Sequence, residues 1–312
     1  MMPQRGYPKD PGLQARMVLT MFLLGLLYVV VVALVIAFAP ASAIPVVIVI
    51  AAAVLFCQYY FSDKIALFSM RAHEVSPQQA PELHAIVERL CALADMPKPR
   101  VAIADSDIPN AFATGRSPKT AVVCVTTGIM RRLDSRELEA VLSHELSHIA
   151  HRDVAVMTIA SFLGVLAGLI TRMTLYAGMM GGMGGGRGRG GQGQDNAAMV
   201  ELAILLVSVI VYFISFLLTR ALSRYRELSA DRSGAVLIGA PSVLASALTK
   251  VTGVMAQIPS RDLRSAEAFN AFFFAPAIAN GFSISSLFST HPSLEVRLAQ
   301  LSRLEAQMRA QG

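Results

Sequence analysis

Charge is scarce in this chain. Only 15% of its 312 residues are Asp, Glu, Lys or Arg, 54% are hydrophobic and the mean hydropathy is +0.54. An ordinary soluble domain carries about 25% charged residues, so the deficit points to a membrane protein. The net charge is +6, yet no basic stripe interleaved with aromatics is present. That excludes a nucleic-acid interface and ties the positive charge to orientation in a bilayer. Cysteine is scarce too. Cys57, Cys91 and Cys124 form an odd set without repeated spacing, which excludes a disulfide framework and fits a reducing compartment.

Long uncharged runs stand in place of charge. Met17 to Phe38 carries none over 22 residues, and at ~1.5 Å rise such a helix covers the ~30 Å hydrocarbon core. After the link Ala39-Pro40-Ala41-Ser42-Ala43 a second run, Ile44 to Phe61, can only close a tight hairpin. Arg5, Lys9 and Arg16 precede the hairpin and Lys64 and Arg71 follow it, so the positive-inside rule places both flanks in the cytoplasm. The first run is too long for a signal peptide and a second span follows it, so no cleavage is expected. Two later apolar stretches, Val154 to about Ala177 and Ala197 to Leu218, flank a glycine tract at 178–193 that reads as a flexible loop. Arg172 and Glu201 leave each stretch two options: a span with a snorkelling end, or a helix partly in the interface. If both span, Arg187 and Arg189 lie outside, against the positive-inside rule.

Between the hairpin and the third stretch the pattern turns mixed. Ser76-Pro77 opens a helical pattern with Leu83, Ile86, Val87, Leu90 and Leu93 on one face. Arg100 to Ala104 and Ala121 to Thr126 are short β-branched runs between turn residues, expected as strands. Asp134 with Glu137 three residues on predicts a capping box for a helix running to about His151. Helical patterns return at Ala221 to Ile238, Pro241 to Gln257 and Pro292 to Met308, and Pro259 to Ser289 reads as an unassigned loop.

The chemistry sits on the capped helix, in His144-Glu145-Leu146-Ser147-His148. Residues i and i+4 share a helix face one turn apart, close enough for two imidazoles to hold one zinc ion. Glu145, beside the first histidine, can reach a water in the open coordination position and act as general base. The bland alternative is a solvated amphipathic helix, but two of only six histidines fall here. A catalytic zinc needs a third protein ligand. His151 is the local candidate, although one straight helix cannot easily close three ligands around a tetrahedral ion, so a polar helix-end residue is the simpler reading. The better candidate is Glu227, with Asp231 four residues on as the partner that holds a ligating imidazole in its tautomer. A charged solvated face, with Arg224 and Arg226 pairing to Glu227 and Asp231, stays open from spacing alone. The longer H-E-x-x-H-x-x-G-x-x-H pattern is absent.

Together, HELSHIAHRD, the distal RELSAD, Asn110-Ala111-Phe112-Ala113-Thr114-Gly115 and Thr290-His291-Pro292 with Arg297 resemble the HtpX-type membrane metalloproteases, gluzincins related to the CAAX prenyl endopeptidases. The resemblance spans essentially the whole chain and departs only at the long glycine tract. It implies an α+β fold: a mostly helical zincin-like metalloprotease domain with a small β-sheet, attached to an N-terminal transmembrane helical hairpin and a second apolar helical hairpin. The implied division is a cytoplasmic segment at 1–16, the transmembrane hairpin at 17–63, protease parts at 64–153 and 220–312, and the second hairpin at 154–219. It implies one Zn2+ per chain on His144, His148 and Glu227, Glu145 as catalytic base, and Asp231 as partner of a ligand. His291 and Arg297 are implied beside the open zinc face, where a donor can stabilise an oxyanion. Asn110, Ala111 and Phe112 are implied along the substrate, at an edge of the active-site sheet. The substrates implied are proteins or peptides, above all misfolded or damaged membrane proteins, cut on the cytoplasmic side of a bacterial inner membrane in quality control and stress response. Processing of prenylated peptides is a rival that needs a large intramembrane chamber, for which four spans are too few. A non-catalytic zinc scaffold has no need of Glu145, and a transporter would need an ionisable group in the first two spans.

Overall fold

The structure is a computed structural model and describes residues 11–38, 44–162, 164–168, 192–257 and 291–311. Outside the described residues lie Arg5, Lys9, the link 39–43, the end of the third apolar stretch, most of the glycine tract, the loop expected over 259–289, and Thr290.

The two N-terminal apolar runs form α1 (Pro11–Phe38) and α2 (Ile44–Tyr60), and the short α3 (Ser62–Ser69) follows α2. A three-residue strand, β1 (Ala72–Glu74), comes next. The helix expected from Ser76-Pro77 begins later, as α4 (Pro81–Ala94). Ser76 N donates to Gln79 Oε1 and the Ser76 carbonyl accepts from Gln79 and Ala80. That closes a turn and leaves Pro81, which has no N–H to lose, to open the helix.

Strands β2 (Arg100–Ala104), β3 (Ala111–Thr114) and β4 (Val122–Thr126) complete a sheet in the order β1-β2-β4-β3. β2 and β4 run parallel from Arg100↔Val122 to Ala104↔Thr126, while β1 and β3 pair antiparallel at the two edges. Thr126 then caps α5 (Thr127–Arg132) by accepting from Ile129 N. The expected capping box is present: Asp134 accepts from Arg136 and Glu137 N–H, the Glu137 carboxylate accepts from Asp134 N, and α6 (Ser135–Ala150) starts there. Glu137 also accepts from Ser246 and Lys250 at 2.8 Å. These two residues lie on a later helix, Pro241–Gln257, so the cap doubles as a tie between helices.

Beyond α6 the third apolar stretch forms α7 (Asp153–Gly168). The fourth stretch and the expected helix at Ala221 to Ile238 prove to be one element, α8 (Gln192–Ile238), 47 residues long. No glycine or proline interrupts the junction at Leu218 to Ala221, so nothing breaks its hydrogen-bond ladder. α9 (Pro241–Gln257) and α10 (Leu294–Gln311) end the chain. Among the described residues two helices are long and apolar enough to cross a membrane, within Gln14–Val31 and Leu205–Ile238, and the two bent pairs would raise the number to four.

The chain divides into two compact units. The first holds Cys57–Val156 and Arg220–Gly312 with the N-terminal stretch. Its larger core packs α4, one sheet face, α6 and α9 around Leu90, Val123, Leu142, Leu146 and Leu248, and Phe112, Ala102 and Cys124 fill the opposite sheet face against Ala66 of α3. The second unit, Leu19–Phe56 with Met157–Thr219, joins its helices through Tyr28. That ring stacks on Phe162 at 6.4 Å, its hydroxyl donates to the Ile159 carbonyl at 2.7 Å, and Leu27 and Val31 pack with Ala167 and Val211. Phe22, Val29, Ile48, Leu206 and Ile210 stay exposed, the disposition expected where lipid is the solvent.

Candidate active site

His144 and Glu145 of α6 are buried, at 1% and 4%, and His148, on the His144 face one turn on, is partly buried. Their ring nitrogens face each other, with His144 Nε2 and His148 Nε2 3.2 Å apart. Glu227 comes from α8. Its Oε2 lies 3.7 Å from His144 Nε2 and its Oε1 lies 3.5 Å from His148 Nε2. Among the described residues these three form the group of His, Cys, Asp and Glu side chains able to hold a metal ion, with their donor atoms within 4.8 Å of one another. His151 is the C-cap of α6 and stands outside that group.

Both Nδ1 atoms are engaged by carboxylates. Asp231 Oδ1 lies 2.9 Å from His144 Nδ1, and Asp153 Oδ2 lies 2.5 Å from His148 Nδ1. Burial pushes His144 below the usual imidazole range and His148 down to about 4, so both rings are neutral near pH 7. A neutral ring whose Nδ1 donates to a carboxylate has only a lone pair on Nε2. Two lone pairs 3.2 Å apart repel unless a cation lies between them. Two nitrogens bound at about 2.0–2.1 Å to one tetrahedral ion stand roughly 3.3 Å apart, so the donor set fits a zinc-sized cation.

Each carboxylate is in turn held by an arginine. Arg297, 1% exposed on α10, donates Nε to Asp231 Oδ2 at 2.7 Å and a terminal nitrogen to Oδ1 at 2.6 Å. Arg226, 3% exposed, pairs with the Asp153 carboxylate and donates to the Asp153 carbonyl at 2.7 Å. The pairing of Arg226 with Glu227 or Asp231 left open by spacing is therefore not the one adopted. Neither a role for Asp153 nor its pairing with Arg226 follows from local spacing. Asp153 lies past the end of α6, and only the left-handed backbone at Arg152 (φ 57°) brings it back onto His148. The Arg152-Asp153 dipeptide, four and five residues after His148, is the signal available.

His291 precedes α10 and places Nδ1 2.9 Å from Glu227 Oε2. A terminal nitrogen of Arg297 lies 3.9 Å from the same oxygen. Glu145 accepts a hydrogen bond from the backbone of Ala113, and burial with the neighbouring Glu227 charge pushes its carboxyl well above the ordinary range. Ala113 belongs to β3, an edge strand. Thr126 N donates to the Asn110 carbonyl, so antiparallel alternation turns Asn110 and Phe112 toward β4 and leaves the outer edge to the backbone of Ala111 and Ala113. The Phe112 side chain packs on the face away from α6.

Burial pushes Cys91 up to about 11 and Cys124 up to about 12. The contact between α6 and α8 is made by small residues: Ser143 Oγ donates to the Gly234 carbonyl at 3.0 Å, and a Cβ on Gly234 would stand 2.8 Å from His144 N and 2.9 Å from its Cα. Gly234→Ala is therefore expected to destabilise the fold by about 1–3 kcal/mol, the usual scale of overpacking, which outweighs the ~1 kcal/mol of helix propensity that alanine adds. Thermal unfolding measures it, and an unchanged or raised melting temperature would show that the helices can part without cost.

A family model for Peptidase family M48 matches residues 77–305. The chain belongs to peptidase family M48. The M48 chain is 55% identical over 306 residues to protease HtpX homolog 1 of Streptomyces coelicolor, a match covering 98% of this chain and 97% of the relative. It is 56% identical over 305 residues to the protease HtpX homolog of Moorella thermoacetica, 98% of each. Protease HtpX homolog 2 of Methanosarcina acetivorans is 51% identical over 98% of this chain and 99% of its own. Among solved structures, Ste24p of S. mikatae aligns with 95% of this chain and 68% of its own at a TM-score of 0.50 and 15% identity. That likeness concerns fold alone. It agrees with a mostly helical M48 chain carrying a four-stranded sheet and membrane helices.

Proposed function

We propose that this M48 peptidase is a membrane-bound, zinc-dependent endopeptidase of the HtpX type, with one zinc ion held by His144, His148 and Glu227. The observation that carries the reading is the pair of Nε2 atoms 3.2 Å apart, with a carboxylate oxygen 2.9 Å from Nδ1 of His144 and 2.5 Å from Nδ1 of His148. When bound there, zinc supplies Lewis acidity, polarising the peptide carbonyl and making the attacking water acidic near neutral pH. Glu145 takes the proton of that water on its carboxylate and returns it to the leaving amine. The Ala113 N–H holds the carboxylate in place. An extended substrate pairs with the outer edge of β3 through the backbone of Ala111 and its neighbours, with Asn110 and Phe112 fixing the strand from the β4 side. His291 is the group set to donate to the developing oxyanion. Arg297 acts through Asp231 as a positioning residue.

The basic flanks Arg16, Lys64 and Arg71 support a cytoplasmic-facing site in the inner membrane of a bacterium. Loops of misfolded or damaged membrane proteins in the same bilayer are then the nearest substrates, which suits quality control and stress response. Purified protein incubated with casein tests the proposal. Cleavage stops on treatment with a zinc chelator and returns on adding zinc; cleavage that persists after metal removal, or is absent throughout, overturns it.

Asp153 is expected to act on metal affinity. Asp153→Asn keeps the shape but weakens the hold on the His148 Nδ1 proton, and loss of such an outer partner lowers affinity about 10–100-fold. Competition against a chromophoric chelator reads the change, and an unaltered dissociation constant would reduce the aspartate to a structural contact.

A further inference from the structure

Helix α3 has two unlike faces. On one, Asp63 and Ala66 are buried, Leu67 and Met70 pack with Ala66 on the sheet, and Asp63 accepts from Arg100 at 2.7 Å. The other face carries Phe61, Lys64, Ile65 and Phe68 at positions i, i+3, i+4 and i+7, and Ile65 N donates to the Phe61 carbonyl, so Phe61 belongs to the same turn. Phe68 is 87% exposed and Ile65 52%. Water is a poor solvent for such a face, and a two-turn helix firmly packed on its other side cannot roll to hide it.

Three observations say what covers it. Residue 61 alone separates α3 from Tyr60, the last residue of the apolar helix α2, so the face begins where that run ends. Lys64 stands in the middle of the apolar face, with Nζ 5.8 Å from the centre of the Phe61 ring. An apolar cleft on a protein would strip that ammonium of water, whereas at a bilayer surface the stem lies among acyl chains and Nζ reaches lipid phosphate. Arg116 lies 4.1 Å from the Tyr60 ring centre and donates to the Tyr60 carbonyl, the tyrosine and cation pairing found at headgroup level. We infer that α3 is an interfacial helix that lies in the headgroup boundary of an anionic leaflet, inserting Phe61, Ile65 and Phe68 and pairing Lys64 with phosphate. It sets the depth of the sheet packed on its other face. The inference rests on the membrane reading and is independent of the metal.

The chain contains no tryptophan, so Phe68→Trp introduces a single tryptophan on this face, which can be excited selectively over the tyrosines. Full-length Phe68→Trp protein, cleaving casein like wild type, is placed in phosphatidylglycerol nanodiscs. Blue-shifted emission is expected, quenched more strongly by lipids brominated near the headgroup than by lipids brominated at the chain ends. Adding Lys64→Gln, or changing to phosphatidylcholine, is expected to weaken the shallow quenching by up to about fivefold, the worth of one basic residue at an anionic surface. Water-like emission without bromine quenching overturns the inference in favour of a protein partner or none. Strongest quenching from the chain ends overturns it too, since α3 is then part of a span. Ile65→Trp, on the same face, decides if the first variant fails to fold. Protein that enters no nanodisc at all defeats the membrane reading itself, a separate result.

Discussion

Glu145→Gln is expected to abolish proteolysis while the protein keeps its fold and its full complement of zinc. The amide has the shape of the carboxyl, and its oxygen can still accept the Ala113 hydrogen bond made by Glu145. What it cannot do is take a proton from water and hand it on. General acid–base catalysis by a positioned group is worth about 10²–10⁴-fold, so kcat on a quenched fluorescent peptide should fall by that range. The metal content sorts the explanations. Glu145 is absent from the His144, His148 and Glu227 group, so elemental analysis should return one zinc per chain in variant and wild type alike. A variant that keeps near wild-type kcat would remove Glu145 from the chemistry, and one that loses zinc would make it a ligand.

Glu227→Ala should fail at an earlier stage, in holding the ion at all. Two imidazoles from one helical turn offer only two ligands, and a catalytic zinc site needs three from the protein. Losing a ligand costs more than losing an outer partner, for which 10–100-fold in affinity is typical. Zinc should therefore leave on dialysis, and peptidase activity with it. A second readout separates metal loss from misfolding. A ligand present at about 1,000 times its Kd stabilises the native state by about 4 kcal/mol, so the wild-type melting temperature rises with added zinc while that of the variant stays flat. Arg297 remains clamped on Asp231 in the variant, since those hydrogen bonds do not involve Glu227. One zinc per chain retained after dialysis would place the third ligand elsewhere.

Local signals were legible wherever chemistry and chain position coincide. The Asp134 and Glu137 capping box reads directly from a three-residue spacing, because both partners belong to one helical turn. The i, i+4 histidines share a face for the same reason. β2 and β4 were legible from β-branched composition, whereas β1, three residues long and exposed in part, has too little pattern to stand out. Ser76-Pro77 misled because a second proline four residues on competes for the same helix start, and the turn closed by Gln79 decides between them. The composition of the single helix α8 changes at Arg220 from mostly apolar to charge-rich, which divides it into two segments by pattern, although helical hydrogen bonding is indifferent to that change.

Taken alone, the order of residues determined that this chain has apolar runs long enough to cross a bilayer, and that two histidines share one helical face with a glutamate beside the first. It also offered Glu227 and Asp231 on a second helix. Only the tertiary structure decided that Asp231 meets His144, that Asp153 meets His148, and that Arg297 and Arg226 hold those carboxylates. Helical spacing is a property of the backbone and can be read from a string. Contacts between residues dozens of positions apart depend on how α8 and α10 pack on α6 and on a left-handed turn at Arg152, which no local spacing encodes.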